Sequence, residues 1–323
     1  MIMQRIRIVS DLAECRQVWQ QVMPAESIAD LWEVRDCFQQ HFRHRPNFIV
    51  AEDDRGICGL LPLSWIEENR CYGYFPGEIW HGKTWLEKNR IYFRAETRPS
   101  DLMAQCPPPY HLRYLLPYPG GSDAEMAIDE IGYLFLPPQY DYEMQKYFGE
   151  FSRKSIKQIL REVAAIEQLG VSYRYDVGSD FDLMVEMNIS RFGVDSYFHD
   201  PRFKESFKSL ANFLSEKGWL RLTTVLINGE PAAVDMGCLY RDVYTVMAGG
   251  TSSRFRGVAK LINLHHMRWA CQQHLQQVDF LCGDFHWKKL FHLTPRPLFH
   301  FSSLASELAW KTDLEVVPRT VHA

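Results

Sequence analysis

The chain has 323 residues, of which 46% are apolar and 14% aromatic, and its formal net charge is −4. This length suits two domains better than one, and the apolar content is ample for a core in each. No stretch reaches the roughly 18 consecutive apolar residues that a membrane helix needs, and no apolar run follows the basic N-terminal residues. We therefore predict a soluble, unprocessed cytoplasmic protein without membrane insertion.

The cysteines and histidines lack the spacings of metal sites. The eight cysteines contain no C-x-x-C pair, which argues against a zinc ribbon, and a disulfide scaffold is implausible at this length. The histidines of the last third show no H-E-x-x-H pattern and no cysteine partner at zinc spacing; they are His265, His266, His274, His286, His292 and His300. The sequence predicts reduced thiols and no metal.

The small net charge conceals a difference between the two halves. Residues 1–150 carry 15 Lys and Arg against 22 Asp and Glu, a net −7, whereas residues 151–323 carry 21 against 18, a net +3. Within 252–300 there are seven basic residues and two acidic ones. The second half is therefore the one expected to attract an anion, although basic residues also commonly solvate helix faces.

Taken in chain order, the first half predicts two helices followed by a hairpin. Apolar periodicity indicates helices over 10–22 and 29–42, then strands over 47–52 and 57–65 joined by a turn at 53–56. A proline-rich stretch follows, and an apolar segment over 131–136 ends at two prolines. We place the end of the first domain near residue 145.

The second half predicts helices, then a strand meander, then a strand, a loop, a helix and a strand. A helix over 151–169 has Ser152 as its N-cap and Gly170 as its stop, with an exposed basic face at 153, 154, 157 and 161. Helices over 180–192 and 200–217 precede three strands over 220–227, 232–240 and 243–248, joined by two-residue turns as an antiparallel meander. A helix over 261–274, strands over 278–282 and near 298–301, and a short amphipathic segment over 286–293 complete the chain.

The run Arg-Phe-Arg-Gly-Val-Ala at 254–259 is the most informative short motif. It lies between the third meander strand and the following helix. A glycine loop there exposes unpaired backbone N–H groups at the positive end of a helix dipole, which is a phosphate-binding arrangement. The alternative is a simple glycine turn that caps an ordinary helix.

This order of elements, with R-x-x-G-x-A after the third meander strand, resembles the GNAT N-acyltransferase superfamily, whose motif Arg254, Gly257 and Ala259 match. Three further segments resemble its tandem-GNAT branch, which includes Fem-type aminoacyl ligases and CelD-like acetyltransferases. They are the helix opening at 151–155 with its continuation to Gly170, the box formed by Gly283-Asp284 and Trp287-Lys288, and the hairpin phrase at 56–63.

The resemblance implies an α/β protein of the α+β type, with two GNAT-like domains, each a mixed and mostly antiparallel sheet flanked by helices. A degenerate domain would span 1–145, and a domain carrying the acyl-donor site would span 146–323. The donor would be acyl-CoA (acetyl-CoA), with its pyrophosphate in the glycine loop. The residues expected to bind it are Met247, Ala248, Gly249, Arg254, Phe255, Arg256, Gly257, Val258, Ala259 and Lys260.

Three residues are candidates for catalysis. The fourth strand of the family often carries a carboxylate, but 243–248 contains none. Asp235, in the middle of its strand, is either a general base reached through water or a structural acid paired with a neighbouring Arg. Asp284 is expected to hold or deprotonate the acceptor amine and also to cap the next helix. The resemblance places Lys288 in the reaction site, where it would offset an oxyanion or bind donor phosphate.

The function predicted from the sequence is transfer of an acyl group from acyl-CoA to an amine by direct attack. The acceptor would be a small molecule or a cell-envelope precursor in the interdomain groove. One alternative is a Fem-like transfer from aminoacyl-tRNA, which the basic helix face favours and the lack of an inserted helical arm disfavours. Another is a non-catalytic GNAT-fold sensor or scaffold, suggested by the missing fourth-strand carboxylate.

Overall fold

A computed structural model describes residues 5–94, 99–117, 127–283 and 286–303. Its α-helices are α1 (Leu12–Val22), α2 (Trp32–Phe42), α3 (Pro99–Met103), α4 (Met144–Phe148), α5 (Arg153–Glu167), α6 (Asp180–Phe192), α7 (Pro201–Glu216), α8 (Val258–Gln272) and α9 (His286–Leu290). Short 3-10 turns occupy Ile28–Asp30, Pro137–Tyr140, Gly193–Asp195 and Tyr197–His199.

The strands are β1 (Arg5–Val9), β2 (Arg45–Pro46), β3 (Phe48–Asp53), β4 (Gly56–Leu61), β5 (Leu63–Ile66), β6 (Cys71–Tyr74), β7 (Tyr92–Phe93), β8 (His111–Leu115), β9 (Ala127–Phe135), β10 (Val171–Tyr175), β11 (Leu220–Ile227), β12 (Glu230–Tyr240), β13 (Val243–Thr251), β14 (Gln277–Asp279) and β15 (Thr294–Ser302).

The chain forms two compact units. In the described residues, unit 1 takes 5–23, the described parts of 43–127, and 299–303, whereas unit 2 takes 24–42 and the described parts of 128–298. A division at residue 145 would place 24–42 and 128–145 in the first domain and 299–303 in the second. The grouping by contacts does the reverse for these three segments. The boundary at 145 therefore stays a prediction.

Unit 1 is built from small antiparallel sheets. One has the strand order β1-β3-β4-β7, another has the order β2-β5-β6, and residues 299–302 of β15 pair with β8. Helix α1 begins at an Asp11 cap, whose side chain accepts a hydrogen bond from the Glu14 N–H at 2.9 Å. Its buried face places Trp19 against Phe48 and Phe75, with ring centroids 6.2 and 6.1 Å apart. These aromatic contacts form the core of unit 1.

Unit 2 contains a mixed sheet whose strands follow the order β10-β11-β12-β13-β14-β9, with β15 beside β9. Strands β10 to β13 pair antiparallel, β13 pairs with β14 in parallel, and β14 pairs antiparallel with β9. The predicted antiparallel meander is confirmed. The fold class predicted from the sequence, mostly antiparallel sheets flanked by helices, is also confirmed.

Helices cover both faces of the sheet of unit 2. A Cβ atom on Gly250 would collide with the Met184 carbonyl of α6, whereas a Cβ atom on its neighbour Gly249 would collide with Asp235, which contacts α8. Because successive strand residues point to opposite faces, α6 and α8 lie on opposite sides. Helix α2 packs on α7 through Phe42 and Phe203, whose centroids are 4.9 Å apart.

No helix among the described residues is long and apolar enough to cross a bilayer. In the same part of the chain, no group of three or more His, Cys, Asp and Glu side chains is arranged to hold a metal ion.

Candidate active site

Strands β13 and β14 separate partway along their length. They pair through Val243 with Gln277, Tyr244 with Val278 and Thr245 with Asp279, where β14 ends, while β13 continues to Thr251. Beyond Thr245, β12 is therefore the strand neighbour of β13 within the described residues. The Gly249 carbonyl of β13 accepts a hydrogen bond from Asn188 Nδ2 of α6 at 2.7 Å. A strand edge without a strand partner can bind an extended ligand through its other backbone groups.

A β-bulge lies at the point where β13 leaves β14. Met236 pairs with Ala248, and the next residue, Gly237, pairs with Val246, so that Met247 is the extra residue of β13. Bulges bend a strand and change the direction of its backbone groups, and they are frequent beside active sites. Met247 and Ala248, both predicted to bind the donor, lie at this bend.

The glycine loop begins α8 as predicted. Gly257 is the N-cap residue and has a φ of +87°, a conformation that glycine adopts without strain. The Val258 N–H donates to the Phe255 carbonyl at 3.2 Å, and the Lys260 N–H donates to the Gly257 carbonyl at 2.9 Å.

The other N–H groups of this loop form the candidate anion cradle. Within the described part of the chain, the backbone N–H groups of Arg256, Gly257 and Ala259 have no hydrogen-bond partner. The candidate cradle therefore consists of three N–H groups, because those of Val258 and Lys260 bond within the loop. Three N–H groups at a helix N-terminus still suit one phosphate group.

The basic side chains of the loop differ in their partners. Arg254 Nη2 lies 2.8 Å from Glu230 Oε2, and both side chains are more than half exposed, at 70% and 55%. Lys260 forms an ion pair with Glu162 of α5, whose pKa is lowered chiefly by this hydrogen bond. Arg256 is exposed and has no ion pair with any described residue. Arg256 is therefore the cation of the loop that is available to a ligand without breaking an existing pair.

Asp235 is buried in the middle of β12 and pairs with a histidine. Its Oδ2 lies 3.0 Å from Nε2 of His266 on α8, a side chain with no exposed surface, while Asp235 itself is 6% exposed. The predicted alternative of a neighbouring Arg as partner is wrong, because the helix that covers this face presents an imidazole at that position.

Gly249 is held close to this carboxylate. Asp235 and Gly249 are opposite each other in the β12–β13 register, and a Cβ atom on Gly249 would collide with Asp235 Oδ1. The second carboxylate oxygen therefore faces the backbone of β13 beside the open edge. This contact gives Gly249 a structural reason to be glycine, and its role in admitting the donor stays a prediction.

Tyr244 is a buried residue of this site that sequence reasoning missed. Its ring centroid lies 5.1 Å from that of His266 and 5.2 Å from that of Trp269. Burial, and then the nearby Asp235 carboxylate, raise the pKa of the Tyr244 hydroxyl well above its usual range. His266 was considered from the sequence only as a metal ligand. The sequence did contain one signal for a buried polar partner of this kind, because an isolated Asp in a buried strand requires one.

His265, the neighbour of His266, belongs to an aromatic cluster with Tyr173 and Tyr175 of β10. It stacks on Tyr173 at a centroid distance of 3.9 Å, and its Nε2 lies 3.1 Å from the Tyr175 hydroxyl. Burial, followed by the nearby His266 and Arg221, lowers the pKa of His265 to about 3. His265 is therefore neutral at physiological pH.

Lys288 lies in α9 and is directed at backbone carbonyl groups. It is 2% exposed, and its Nζ donates to the carbonyl oxygens of Phe280 at 2.9 Å, Leu281 at 2.9 Å and Cys282 at 2.7 Å. Trp287 packs between Phe280 and Phe291, at 5.4 and 5.6 Å. These three hydrogen bonds of the Lys288 ammonium stabilise the segment after β14. The role of Lys288 in the reaction stays a prediction. Asp284 lies outside the described residues.

Unit 2 thus combines a meander, a bulged strand that separates from its parallel neighbour, and a glycine loop that opens a helix. Residues 152–289 match the family model described as acetyltransferase (GNAT) domain. This range contains the glycine loop, Asp235 and Lys288. The predicted resemblance to the GNAT superfamily is confirmed. No curated protein sequence gives a significant match.

Solved structures extend the similarity over nearly the whole chain. FemX has a TM-score of 0.55 at 9% identity, covering 92% of this chain and 97% of its own. The C-terminal domain (DUF2156) of a putative lysylphosphatidylglycerol synthetase from Agrobacterium fabrum has a TM-score of 0.54 at 9% identity, covering 92% and 93%. A tandem GNAT protein from the clavulanic acid biosynthesis pathway has 0.50 at 9% identity, covering 94% and 100%. The predicted tandem-GNAT, Fem-like resemblance is confirmed as a likeness of fold.

Proposed function

We propose that this protein is an N-acyltransferase that moves an acyl group from acyl-CoA to an amine. The observation that carries the proposal is that β13, which has no β14 partner beyond Thr245, leads directly into the loop with three unpartnered N–H groups at Arg256, Gly257 and Ala259. A ligand that combines a thin extended arm with a diphosphate fits such an arrangement, because a strand edge binds extended chains and a helix N-terminus binds phosphate.

The donor would be held by backbone groups and one available cation. The diphosphate would accept hydrogen bonds from the three loop N–H groups, with Arg256 adding a charge-assisted contact. The arm would lie against residues 246–249 of β13. The backbone at the Met247 bulge would then be placed to stabilise the oxyanion that forms on the thioester carbonyl.

The chemistry needs a group that accepts the amine proton. In the transfer, the amine nitrogen bonds to the thioester carbon, the carbon–sulfur bond breaks, and the CoA thiolate leaves. Strand β13 carries no carboxylate, whereas Asp235 Oδ1 faces Gly249 of that strand. We assign proton acceptance to Asp235, with a small molecule or cell-envelope precursor as the class of acceptor.

Calorimetric titration with acetyl-CoA tests the donor site through Gly257→Asp. This change places a carboxylate in the anion cradle, so we expect at least about tenfold weaker binding than for the wild type, which corresponds to 1.4 kcal/mol. Gly218→Asp is the matched control, because Gly218 also has a positive φ, +68°, and no atom near its Cβ position. Equal affinity of the two variants, or no binding of acetyl-CoA by the wild type, would refute the proposed donor site.

A second candidate function is transfer from aminoacyl-tRNA. The exposed side chains of Arg153, Lys154, Lys157 and Arg161 on α5 have no ion pair with any described residue, and they favour it. Such a surface would bind tRNA with an affinity that falls steeply as salt rises. The test is a filter-binding titration with tRNA at several salt concentrations, in which a variant with all four residues replaced by Gln is the control. The candidate is supported if the slope of log affinity against log salt concentration is smaller in the variant than in the wild type. Salt-independent or absent binding removes it.

A third candidate is a GNAT-fold protein that binds its ligand without turnover, which the absence of a β13 carboxylate favours. Release of free CoA from acetyl-CoA, measured with a library of primary amines, distinguishes it from an enzyme. Reproducible acyl transfer that is lost in Asp235→Asn excludes a purely binding role. Tight acetyl-CoA binding with no release across the library supports that role.

A further inference from the structure

Four buried polar atoms lie without a hydrogen-bond partner on the sheet face beneath α8. They are Arg221 Nε, Thr223 Oγ1, Tyr244 Oη and His266 Nδ1, and none has a partner among the described residues. Native proteins rarely leave buried polar atoms unsatisfied, so a cluster of them requires an explanation in ordered water, a ligand or chemistry. None of the donor contacts in the proposed function uses these four atoms.

The sheet register places these groups in a line that begins at Gly249. Gly249 is opposite Asp235, and Asp235 is opposite Thr223 on the next strand. The Tyr244 hydroxyl lies above Gly237, where a Cβ atom would collide with it. Two glycines thus make room for two polar groups, the Asp235 carboxylate and the Tyr244 hydroxyl.

The Thr223 and Tyr244 hydroxyls lie close to each other and to Asp235. Burial, and then the charge of Asp235, raise the pKa of the Tyr244 hydroxyl, whereas the nearby Thr223 side chain lowers it. Neither hydroxyl, however, has a partner that meets the distance and angle of a direct hydrogen bond. A water molecule can bridge two such groups where a direct bond is misaligned.

The far end of the line reaches the protein surface at Arg221. Arg221 is opposite Gly237 in the register, and its guanidinium lies 3.8 Å from the Trp269 ring centroid and 4.6 Å from that of Tyr175. Tyr175 is 41% exposed. The polar line therefore extends from the open edge of β13 to solvent beside Tyr175.

We propose that Asp235, Thr223 and Tyr244, with ordered water between them, form a proton relay from the reaction site to solvent, positioned by His266. The proposal rests on the acyltransferase function proposed above. The proton lost by the attacking amine passes to Asp235 Oδ1, then to water held by the Thr223 and Tyr244 hydroxyls, and leaves past Arg221. The Asp235 carboxylate is regenerated, and no oxidant or further reactant is needed.

His266 acts through Asp235 and is a positioning residue. Its Nε2–H donates to Asp235 Oδ2, which leaves Oδ1 as the oxygen that faces Gly249 and accepts the proton. His266→Gln keeps an N–H donor of similar reach and should retain more activity than His266→Leu. The acetyl-CoA affinity of both variants should equal that of the wild type, and the pH profile of kcat should shift only in His266→Leu.

Tyr244→Phe is the sharpest test of the relay. The change removes only a hydroxyl that has no protein partner, so a merely structural Tyr244 would lose neither stability nor rate. The relay requires kcat, measured as CoA release with an amine acceptor found in the library, to fall about tenfold or more, which is less than the roughly 10²–10⁴-fold of a complete general base because Asp235 still accepts the proton. The acetyl-CoA affinity should stay unchanged. A larger solvent isotope effect on kcat should accompany the loss.

Tyr173→Phe is the matched control. It removes a tyrosine hydroxyl from the neighbouring cluster, where the ring stacks on His265 outside the relay and away from its exit at Arg221. We expect wild-type kcat for this variant. Equal rates for Tyr244→Phe, Tyr173→Phe and the wild type would overturn the relay while leaving the acyltransferase function intact.

A crystal structure of the wild-type protein gives a readout that needs no acceptor. The relay requires an ordered water within hydrogen-bonding distance of both Tyr244 Oη and Thr223 Oγ1. Direct pairing of these two oxygens, or a dry space between them, would overturn the relay. Failure of the function itself is recognised separately, because a wild-type protein that binds no acetyl-CoA refutes the donor site whether or not the water is present.

Discussion

The buried carboxylate of Asp235 and the missing side chain of Gly249 depend on each other. Asp235 Oδ2 is occupied by His266, and Oδ1 fills the space that a Cβ atom on Gly249 would need. A buried carboxylate is stable only with hydrogen-bond partners or some access to water. The absence of a side chain at Gly249 therefore helps β12 to accommodate the Asp235 carboxylate. At the residue scale, the site is therefore defined by a carboxylate, an imidazole and a glycine on three adjacent elements.

Gly249→Ala should destabilise the protein and reduce acyl transfer together. The added methyl group must displace Asp235, and overpacking of this kind costs about 1–3 kcal/mol of the free energy of unfolding. Urea denaturation measures the change, and Gly178→Ala serves as control because no atom lies within 4 Å of its Cβ position. In an Asp235→Ala background the same change should cost clearly less, since the two residues are in contact. Equal costs in both backgrounds would contradict the proposed dependence.

Arg256 and Arg254 should contribute unequally to donor binding. Arg254 already pairs with Glu230, whereas Arg256 has no ion pair with any described residue. A charge-assisted hydrogen bond that forms without breaking an existing pair is worth about 1.5 kcal/mol, or roughly tenfold in affinity. We expect Arg256→Ala to weaken acetyl-CoA binding about tenfold and Arg254→Ala to weaken it less. A larger loss for Arg254→Ala in calorimetric titrations would show that the donor recruits Arg254 away from Glu230.

At the scale of the element, the sequence predicted what depends on local pattern and missed what depends on distant contacts. Helix α6 matches the predicted 180–192, the N-cap of α5 is the predicted Ser152, and α7 covers Pro201–Glu216 of the predicted 200–217. Strand β10 (Val171–Tyr175) was missed although its five residues alternate apolar and polar side chains, because so short a run is a weak signal between two predicted helices. Strand β14 is shorter than the predicted 278–282, and Leu281 has a φ of +57°, which interrupts the extended conformation.

Two further features of the site, one long-range contact and one local hydrogen-bond pattern, were also beyond the sequence. The pairing of Asp235 with His266 joins residues 31 positions apart, and only the packing of α8 on β12 brings them together. The three free N–H groups of the glycine loop follow from internal hydrogen bonds of Val258 and Lys260, which the motif alone does not specify.

Lys288→Met should destabilise the segment after β14. The change leaves the carbonyls of Phe280, Leu281 and Cys282 without their ammonium donor, and losing hydrogen bonds to a charged group costs about 1.5–3 kcal/mol each before relaxation. Urea denaturation should show a loss of at least about 3 kcal/mol, while Lys289→Met, an exposed neighbour, should show almost none. Unchanged stability with abolished acyl transfer would instead support the reaction-site role predicted from the sequence.

His265 should make the protein less stable in mild acid. The folded state lowers the pKa of His265 from 6.5 to about 3, so between these values the unfolded chain binds more protons. The stability is fully present above pH 6.5 and falls toward pH 3, by up to about 1.4 kcal/mol per pH unit for one proton. His265→Phe, which keeps the stacking on Tyr173, should flatten this dependence in urea denaturation between pH 6.5 and 4. An unchanged slope would contradict the assignment.

At the scale of the whole molecule, the charge difference between the halves agrees with the position of the anion cradle. The sequence placed the net positive charge in residues 151–323, and the glycine loop, Arg256 and the basic face of α5 all lie in unit 2. The class of fold and the place of the donor loop were thus predictable from motif order and composition. Which cations remain available was not, because ion pairs such as Arg254 with Glu230 arise only on folding.

A crystal structure of the protein with bound CoA tests the central claim most directly. We expect the diphosphate oxygens within hydrogen-bonding distance of the backbone N–H groups of Arg256, Gly257 and Ala259, and the pantetheine arm against residues 246–249 of β13. Density for CoA elsewhere on the protein, with the 254–260 loop making no contact to phosphate, would contradict the claim that this loop and strand edge form an acyl-donor site.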